Sequence, residues 1–308
     1  MLLLSGLFSV NLLMAQSLPP IFDSVPRKLL SAKTIAAFPK GTWLENMLIA
    51  PDGAFYVTDY PEGKVFKVST SGDTTLFARI EGKIAGIAMG ALPGEFLVTG
   101  WDAAGRAAIF RIDRTGKTEK RLNIAGGMFP NGIILLWDHQ YLIADSFAGC
   151  IWLYDVTGNT ATLWLKAERL ARSSEKSASP AANGLKWHGG YLYISNTEKQ
   201  TLVRVALRNH RAGLVETFAK NVNIDDFCFD DLGNIYAATN VYNSVIRITP
   251  QKKVSIVADT STGVAGSTAV LFVSHSPGHH VLYVSTSGGM AVPPPGGVQE
   301  GKIIMLTL

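Results

Sequence analysis

The chain has 308 residues, of which 47% are apolar and 17% charged, with a formal net charge of +4. That is enough for a large buried core, and its lysines and arginines are scattered without a basic run or an aromatic–basic stripe, which argues against a nucleic-acid partner. Two cysteines, Cys150 and Cys228, exclude a disulfide framework. The run Phe227-Cys228-Phe229 reads as a strand in which the thiol is a small buried hydrophobe, and no bridge between the two is expected. Thirty glycines spread along the whole length point to many tight turns rather than to a linker.

The chain begins MLLLSGLFSVNLLMAQSLPP. This stretch is too short for a comfortable transmembrane helix. It has the apolar body of a secretory signal, with small residues at Ala15 and Ser17 for cleavage but no basic start. Residues 1–17 are read as a signal peptide directing the protein into the secretory pathway, the alternative being a packed apolar arm. Residues 18–308 are read as one domain.

From Met47 onward the sequence repeats itself: an apolar strand, a turn, a Tyr/Val/Ile-rich strand, a polar turn, an alternating strand and a fourth strand. The units run Met47 to Ile80, Ile84 to Ile124, Asn131 to Ala167, Asn183 to Lys220, Asp226 to Thr260 and Thr268 to Leu308. The last unit has only three strands, TAVLFVS, VLYVSTS and KIIMLTL. Lys33-Thr34-Ile35-Ala36-Ala37-Phe38 resembles the fourth strands of other units and is the candidate to complete it. Without it, the last unit would leave an unpaired edge. Repeats of about forty residues with four strands each predict an all-β fold, a six-bladed β-propeller of four antiparallel strands per blade, closed by the N-terminal strand. A β-sandwich does not account for six self-similar units with a split last one. The polar segment 165–179 between the third and fourth units is predicted to hold a short helix and to stand at a rim.

In a propeller the first strand of each blade lines the channel, so equivalent residues of different repeats converge at one mouth. Aligned just before the first strand stand Glu45, Asn131, Asn183 and Asp225. Two carboxylates and two carboxamides supply only oxygen, which suits a Ca²⁺-type ion and disfavours zinc or copper. Asn before Gly is also common in plain turns, yet four such residues in register make a convergent site. Trp43, Phe129, Tyr242 and Met290 fall near the same mouth and would bind an apolar small molecule. They could equally pack between blades. His139 and His188 lie in turns after first strands, away from this ring, and no catalytic triad, P-loop or dinucleotide fingerprint is present.

The Glu45/Asn131/Asn183/Asp225 pattern on six blades resembles the gluconolactonase, regucalcin and diisopropyl fluorophosphatase superfamily. The resemblance implies that these four residues hold or neighbour a calcium-type ion, and that Asp225 takes part in hydrolysis. Two departures stand out. Glu45-Asn46-Met47 replaces the Glu-Gly-Pro common there, and Phe129 stands where sugar-lactonase members carry Arg, which favours a less polar substrate.

A second resemblance covers nearly the whole chain. Its carriers are Trp43-Leu44-Glu45-Asn46, Asp225-Asp226-Phe227, Ala237-Ala238-Thr239-Asn240, Val264-Ala265-Gly266-Ser267-Thr268, Leu282-Tyr283-Val284-Ser285-Thr286-Ser287-Gly288-Gly289 and Glu300-Gly301-Lys302-Ile303-Ile304. These are similar to a fungal group of secreted NHL-like propellers that includes hetero-Diels–Alderases of tropolone–sesquiterpenoid pathways. The resemblance implies a secondary-metabolite cyclase that joins a quinone methide to an olefinic terpene and needs no cofactor. Catalysis would then come from holding two apolar partners in a reactive pose. Asn131 or Asn183 would polarise a carbonyl, while Glu45 or Asp225 would assist a leaving group. The alternatives are a calcium-dependent lactonase or esterase, in which Asp225 activates water, and a non-enzymatic propeller that binds a protein.

Overall fold

The structure, a computed structural model, describes residues 18–208, 211–276 and 278–308. The expected signal peptide lies outside the described residues. The rest is a six-bladed β-propeller, each blade an antiparallel sheet of four strands. Blade 1 is Leu44–Ile49, Phe55–Asp59, Lys64–Val68 and Thr74–Arg79. Blade 2 is Gly82–Met89, Phe96–Asp102, Ala107–Ile112 and Thr118–Asn123. Blade 3 is Pro130–Trp137, Gln140–Asp145, Cys150–Asp155 and Thr160–Lys166. Blade 4 is Ala182–His188, Tyr191–Asn196, Thr201–Arg208 and Arg211–Lys220. Blade 5 is Phe227–Phe229, Ile235–Ala238, Val245–Ile248 and Val254–Ala258. Blade 6 is Ser267–Ser276, His279–Thr286 and Glu300–Thr307, completed by Ser31–Lys40 from the start of the chain.

Burial within a blade follows from its place between two neighbours. Every residue of Phe55–Asp59 is buried, because a second strand is covered on both faces. The fourth strand Thr74–Arg79 lies at the rim and is mostly exposed. The core is accordingly a set of layers between blades. Tyr56 of blade 1 lies 4.3 Å from Phe96 of blade 2, and Phe55 lies 4.6 Å from Tyr283 of blade 6, both ring to ring. Tyr193 of blade 4 meets Phe229 of blade 5 at 5.0 Å.

The closing strand is longer than the sequence suggests. It pairs from Ser31↔Thr307 to Lys40↔Glu300, so the ring is fastened over its whole height. Ahead of it, residues 26–30 lie along the outer strand of blade 5, where the amides of Lys28 and Leu30 donate to the carbonyls of Ile256 and Val257 at 2.8 and 2.9 Å. An edge that would otherwise be open is thereby covered. The segment 165–179 ends the last strand of blade 3, makes the single 3₁₀ turn Glu168–Leu170, and continues as loop. Both cysteines are free and buried. No helix among the described residues is long and apolar enough to cross a membrane.

One backbone device positions the site. The first strand of blades 1, 2, 3, 4 and 6 breaks register near its start, between Leu44 and Met47, Ile84 and Ile87, Pro130 and Ile133, Ala182 and Leu185, and Ser267 and Ala269. Blade 5 does the equivalent: Asp225 N–H donates to the Ala238 carbonyl and Ala238 N–H to the Asp226 carbonyl, each at 2.9 Å. Such bulges re-aim side chains out of the pleat, here toward the axis. The strands crowd there. A Cβ at Gly132 would stand 2.5 Å from the Asn183 carbonyl oxygen, so only glycine fits. Hydroxyls fasten each bulge to the next blade. Thr58 donates to the Ala85 carbonyl at 2.7 Å, Thr99 to Asn131 at 2.5 Å, Ser195 to Asp225 at 2.9 Å and Thr268 to Leu44 at 2.7 Å.

Candidate active site at the channel mouth

Glu45, Asn131 and Asn183 are each the second residue of a first strand and fall inside its bulge, rather than before the strand. Asp225 falls in the corresponding bend ahead of Phe227–Phe229. All four are buried. Asn183 Nδ2 donates to Asp225 Oδ1 at 2.6 Å, which joins blades 4 and 5 directly. Glu45 Oε2 accepts from the indole of Trp43 at 2.6 Å.

A residue at the mouth end of the second strand, within two positions of that strand's last residue, forms a second tier over these four, and the sequence analysis missed it. Asn131 Nδ2 donates to Ser146 Oγ at 3.4 Å, Asn183 Nδ2 to Thr197 Oγ1 at 3.2 Å, and Asn240 Nδ2 to Asp225 Oδ2 at 2.9 Å. The partners are 15, 14 and 15 residues apart, one hairpin in each case, and that near-constant offset was the available signal. In blades 1 and 2 the same slot holds Tyr60 and Trp101.

Burial dominates the electrostatics. The Glu45 carboxyl is pushed well above its ordinary range, first by burial and then by the charges of Asp225 and Asp226, against the Trp43 hydrogen bond. Burial also raises Asp225, to about 7, although Asn240 and Asn183 hydrogen-bond its ionised form. Below them in the channel, Asp226 is paired with Lys186 Nζ at 2.6 Å and accepts from Asn46 Nδ2 at 3.3 Å. Glu45 and Asp225 have no such cation among the described residues.

The donor set fits a hard cation. It offers the oxygens of two buried carboxylates and of two carboxamides whose Oδ1 atoms accept no hydrogen bond among the described residues. Among those residues there is no cluster of three or more His, Cys, Asp or Glu side chains suited to a metal. Any ion at the ring would therefore lean on Asn131 and Asn183 for the rest of its shell.

The aromatic residues divide. Trp43, Tyr60, Trp101, Phe129 and Phe147 form a crescent across blades 1 to 3, with successive ring centroids 5.8, 5.9, 4.5 and 5.2 Å apart. These are contact distances for tilted aromatic pairs. Asp145 holds the Phe129 and Phe147 end. It is fully buried and accepts from the amides of Met128, Phe129, Phe147 and Ala148 and from the Trp152 indole. Arg172 from the inserted segment lies 4.4 Å over the Phe147 ring, which puts that segment at the rim. Tyr242 stands elsewhere: its ring meets Phe22 at 4.8 Å and its hydroxyl donates to the Pro19 carbonyl at 2.9 Å, so it anchors the N-terminal arm. Met290 is half-buried in the blade 6 loop 287–299. His188 stacks on Phe229 at 4.1 Å, a packing contact between blades.

No family model matches this chain, and no curated protein is similar to it in sequence. Solved structures are similar in fold. A calcium-binding protein, regucalcin, from Agrobacterium tumefaciens superposes with a TM-score of 0.68 at 15% identity, over 91% of this chain and 95% of that one. A gluconolactonase from Xanthomonas campestris gives 0.67 at 16% identity, over 90% and 89%. A luciferin-regenerating enzyme gives 0.65 at 16% identity, over 87% and 92%. At these identities the likeness establishes the fold alone, a six-bladed β-propeller.

Proposed function

We propose that the protein is a hydrolase of esters or lactones that works with a calcium-type ion held by Glu45, Asn131, Asn183 and Asp225. One observation carries the reading: two buried carboxylates converge at the channel mouth with no cation to balance them among the described residues. A lone buried charge is unfavourable unless it is neutralised or coordinates a metal. The likeness to a gluconolactonase and to a calcium-binding propeller supports it at the level of fold. When bound, the ion would polarise the scissile carbonyl. Asp225, fixed through both oxygens by Asn183 and Asn240, takes the proton of the attacking water. The crescent binds the apolar body of the substrate, and Phe129 in it offers nothing to a polyol.

The test is metal content and turnover together. Elemental analysis should find about one calcium per chain, and chelation should abolish hydrolysis of apolar lactones and lower Tm. Full turnover in chelator-treated, metal-free protein would overturn the reading.

The crescent favours a second reading, the cyclase that the similarity to the fungal propellers implies. Five aromatic side chains can hold two apolar partners face to face, and proximity alone can supply much of the barrier reduction. In that case the protonated form of Glu45, which burial favours, would donate the activating hydrogen bond. The amide N–H groups of Asn183 are already engaged. Cycloadduct formation that survives chelation and fails in Glu45→Gln would favour this reading.

A further inference from the structure

We infer that the crescent seats a flat, conjugated ring that carries an oxyanion, with the Tyr60 hydroxyl and Lys83 Nζ as the two donors that read that oxygen. The inference rests on the channel mouth being the working site and adds the class of ligand it accepts.

Tyr60 is the hub of the crescent. Its ring lies 5.8 Å from Trp43, 5.9 Å from Trp101 and 6.3 Å from Phe129, the last nearly parallel at 23°. The other polar ring atoms there are occupied: the Trp43 indole donates to Glu45 at 2.6 Å and the Trp101 indole to the Met128 carbonyl at 2.9 Å. The Tyr60 hydroxyl makes no hydrogen bond among the described residues, although most of the side chain is shielded from water. A phenol hydroxyl that no protein group engages is free to donate to a ligand. Burial and the neighbouring Glu45 push it up to about 12, so it keeps its proton at any physiological pH.

Lys83 adds the charge preference. Its Nζ is 5.8 Å from the centre of the Tyr60 ring, and it forms no ion pair among the described residues. Elsewhere near the channel the cation is committed, as Lys186 is to Asp226. A neutral hydroxyl and a free ammonium flanking one ring make a charge-assisted pair for a single oxygen. The near-parallel faces of Tyr60 and Phe129, flanked by the tilted Trp43 and Trp101 rings, favour a planar ligand body over a saturated one.

The probes are naphthalene-2-carboxylate, its neutral analogue naphthalene-2-methanol, and the saturated cyclohexanecarboxylate. Binding is followed by tryptophan fluorescence in the intact protein, with chelator and again with Ca²⁺. The carboxylate should bind roughly tenfold or more tightly than the alcohol, and cyclohexanecarboxylate more weakly still. Tyr60→Phe should weaken the carboxylate by about tenfold. Lys83→Gln should weaken the carboxylate, remove the salt dependence of its binding and leave the alcohol unchanged. Equal affinity for carboxylate and alcohol in the wild type would overturn the inference. So would unaltered carboxylate binding in Lys83→Gln, an exposed substitution that leaves the fold intact. Because the readout is binding, absence of hydrolysis would count against the hydrolase reading alone.

Discussion

Blades 1 and 2 place Tyr60 and Trp101 at the mouth end of the second strand, where blades 4 and 5 place Thr197 and Asn240. On the blade 4 and 5 side the slot residue reaches down and holds a ring side chain: Thr197 touches Asn183, and Asn240 touches Asp225. On the blade 1 and 2 side it turns a ring face to its neighbours instead, Tyr60 and Trp101 lying 5.9 Å apart. Repetition fixes where a side chain will be, and departure from the repeat decides what it does. One half of the mouth presents aromatic faces, and the other a hydrogen-bonded polar cluster.

The sharpest way to break that division is to mutate each half and separate kcat from KM. Asp225→Asn keeps shape and hydrogen-bonding size but loses the base. It should lower kcat roughly 10²- to 10³-fold with KM nearly unchanged, measured by steady-state kinetics on an apolar lactone. A change confined to KM would mean that the polar half only binds.

Legibility in the sequence followed the same line. The six repeats and the split blade could be read because each strand must be apolar to pack between neighbours, and TTLFAR and the Ile35–Phe38 stretch share that pattern. Glu45, Asn131, Asn183 and Asp225 could be aligned because a bulge recurs at one place in each repeat. Tyr60 and Trp101 were missed because they sit at the ends of buried second strands and look like more core. Tyr242 was misplaced with the crescent because a sequence does not show that residues 19–22 fold back over blade 5. Asp145 was invisible: an aspartate at a strand end reads as a turn residue, and its five donors come from both sides of it in the chain.

Asp145→Ala tests whether the crescent is built or merely present. Removing a fully buried acceptor of four amides and an indole should destabilise the fold by about 3 kcal/mol and lower Tm by several degrees. The same change should weaken apolar ligands by freeing Phe129 and Phe147. Trp101→Ala is milder. It should raise KM about tenfold through lost stacking and apolar area, with kcat and Tm close to wild type, so that the two halves separate in one pair of variants.

The smallest effect probes the brace itself. In metal-free protein Asp225 titrates near 7 when folded, against an ordinary 3.8, because burial favours its neutral form. Its folded proton affinity is therefore raised. The stability it contributes is fully present below about pH 4 and is lost as pH rises through about 7. Asn240 opposes the shift by donating to the ionised carboxylate. Asn240→Leu should move the upper end of that loss to higher pH by up to about one unit, read as Tm against pH in chelator, and Asp225→Asn should remove this component altogether. Added Ca²⁺ should reverse the slope, since a bound cation favours the ionised form that burial disfavours. An Asn240→Leu profile that overlays the wild type would mean that the hydrogen bond does not act on Asp225, and the polar half would lose its claim to be braced.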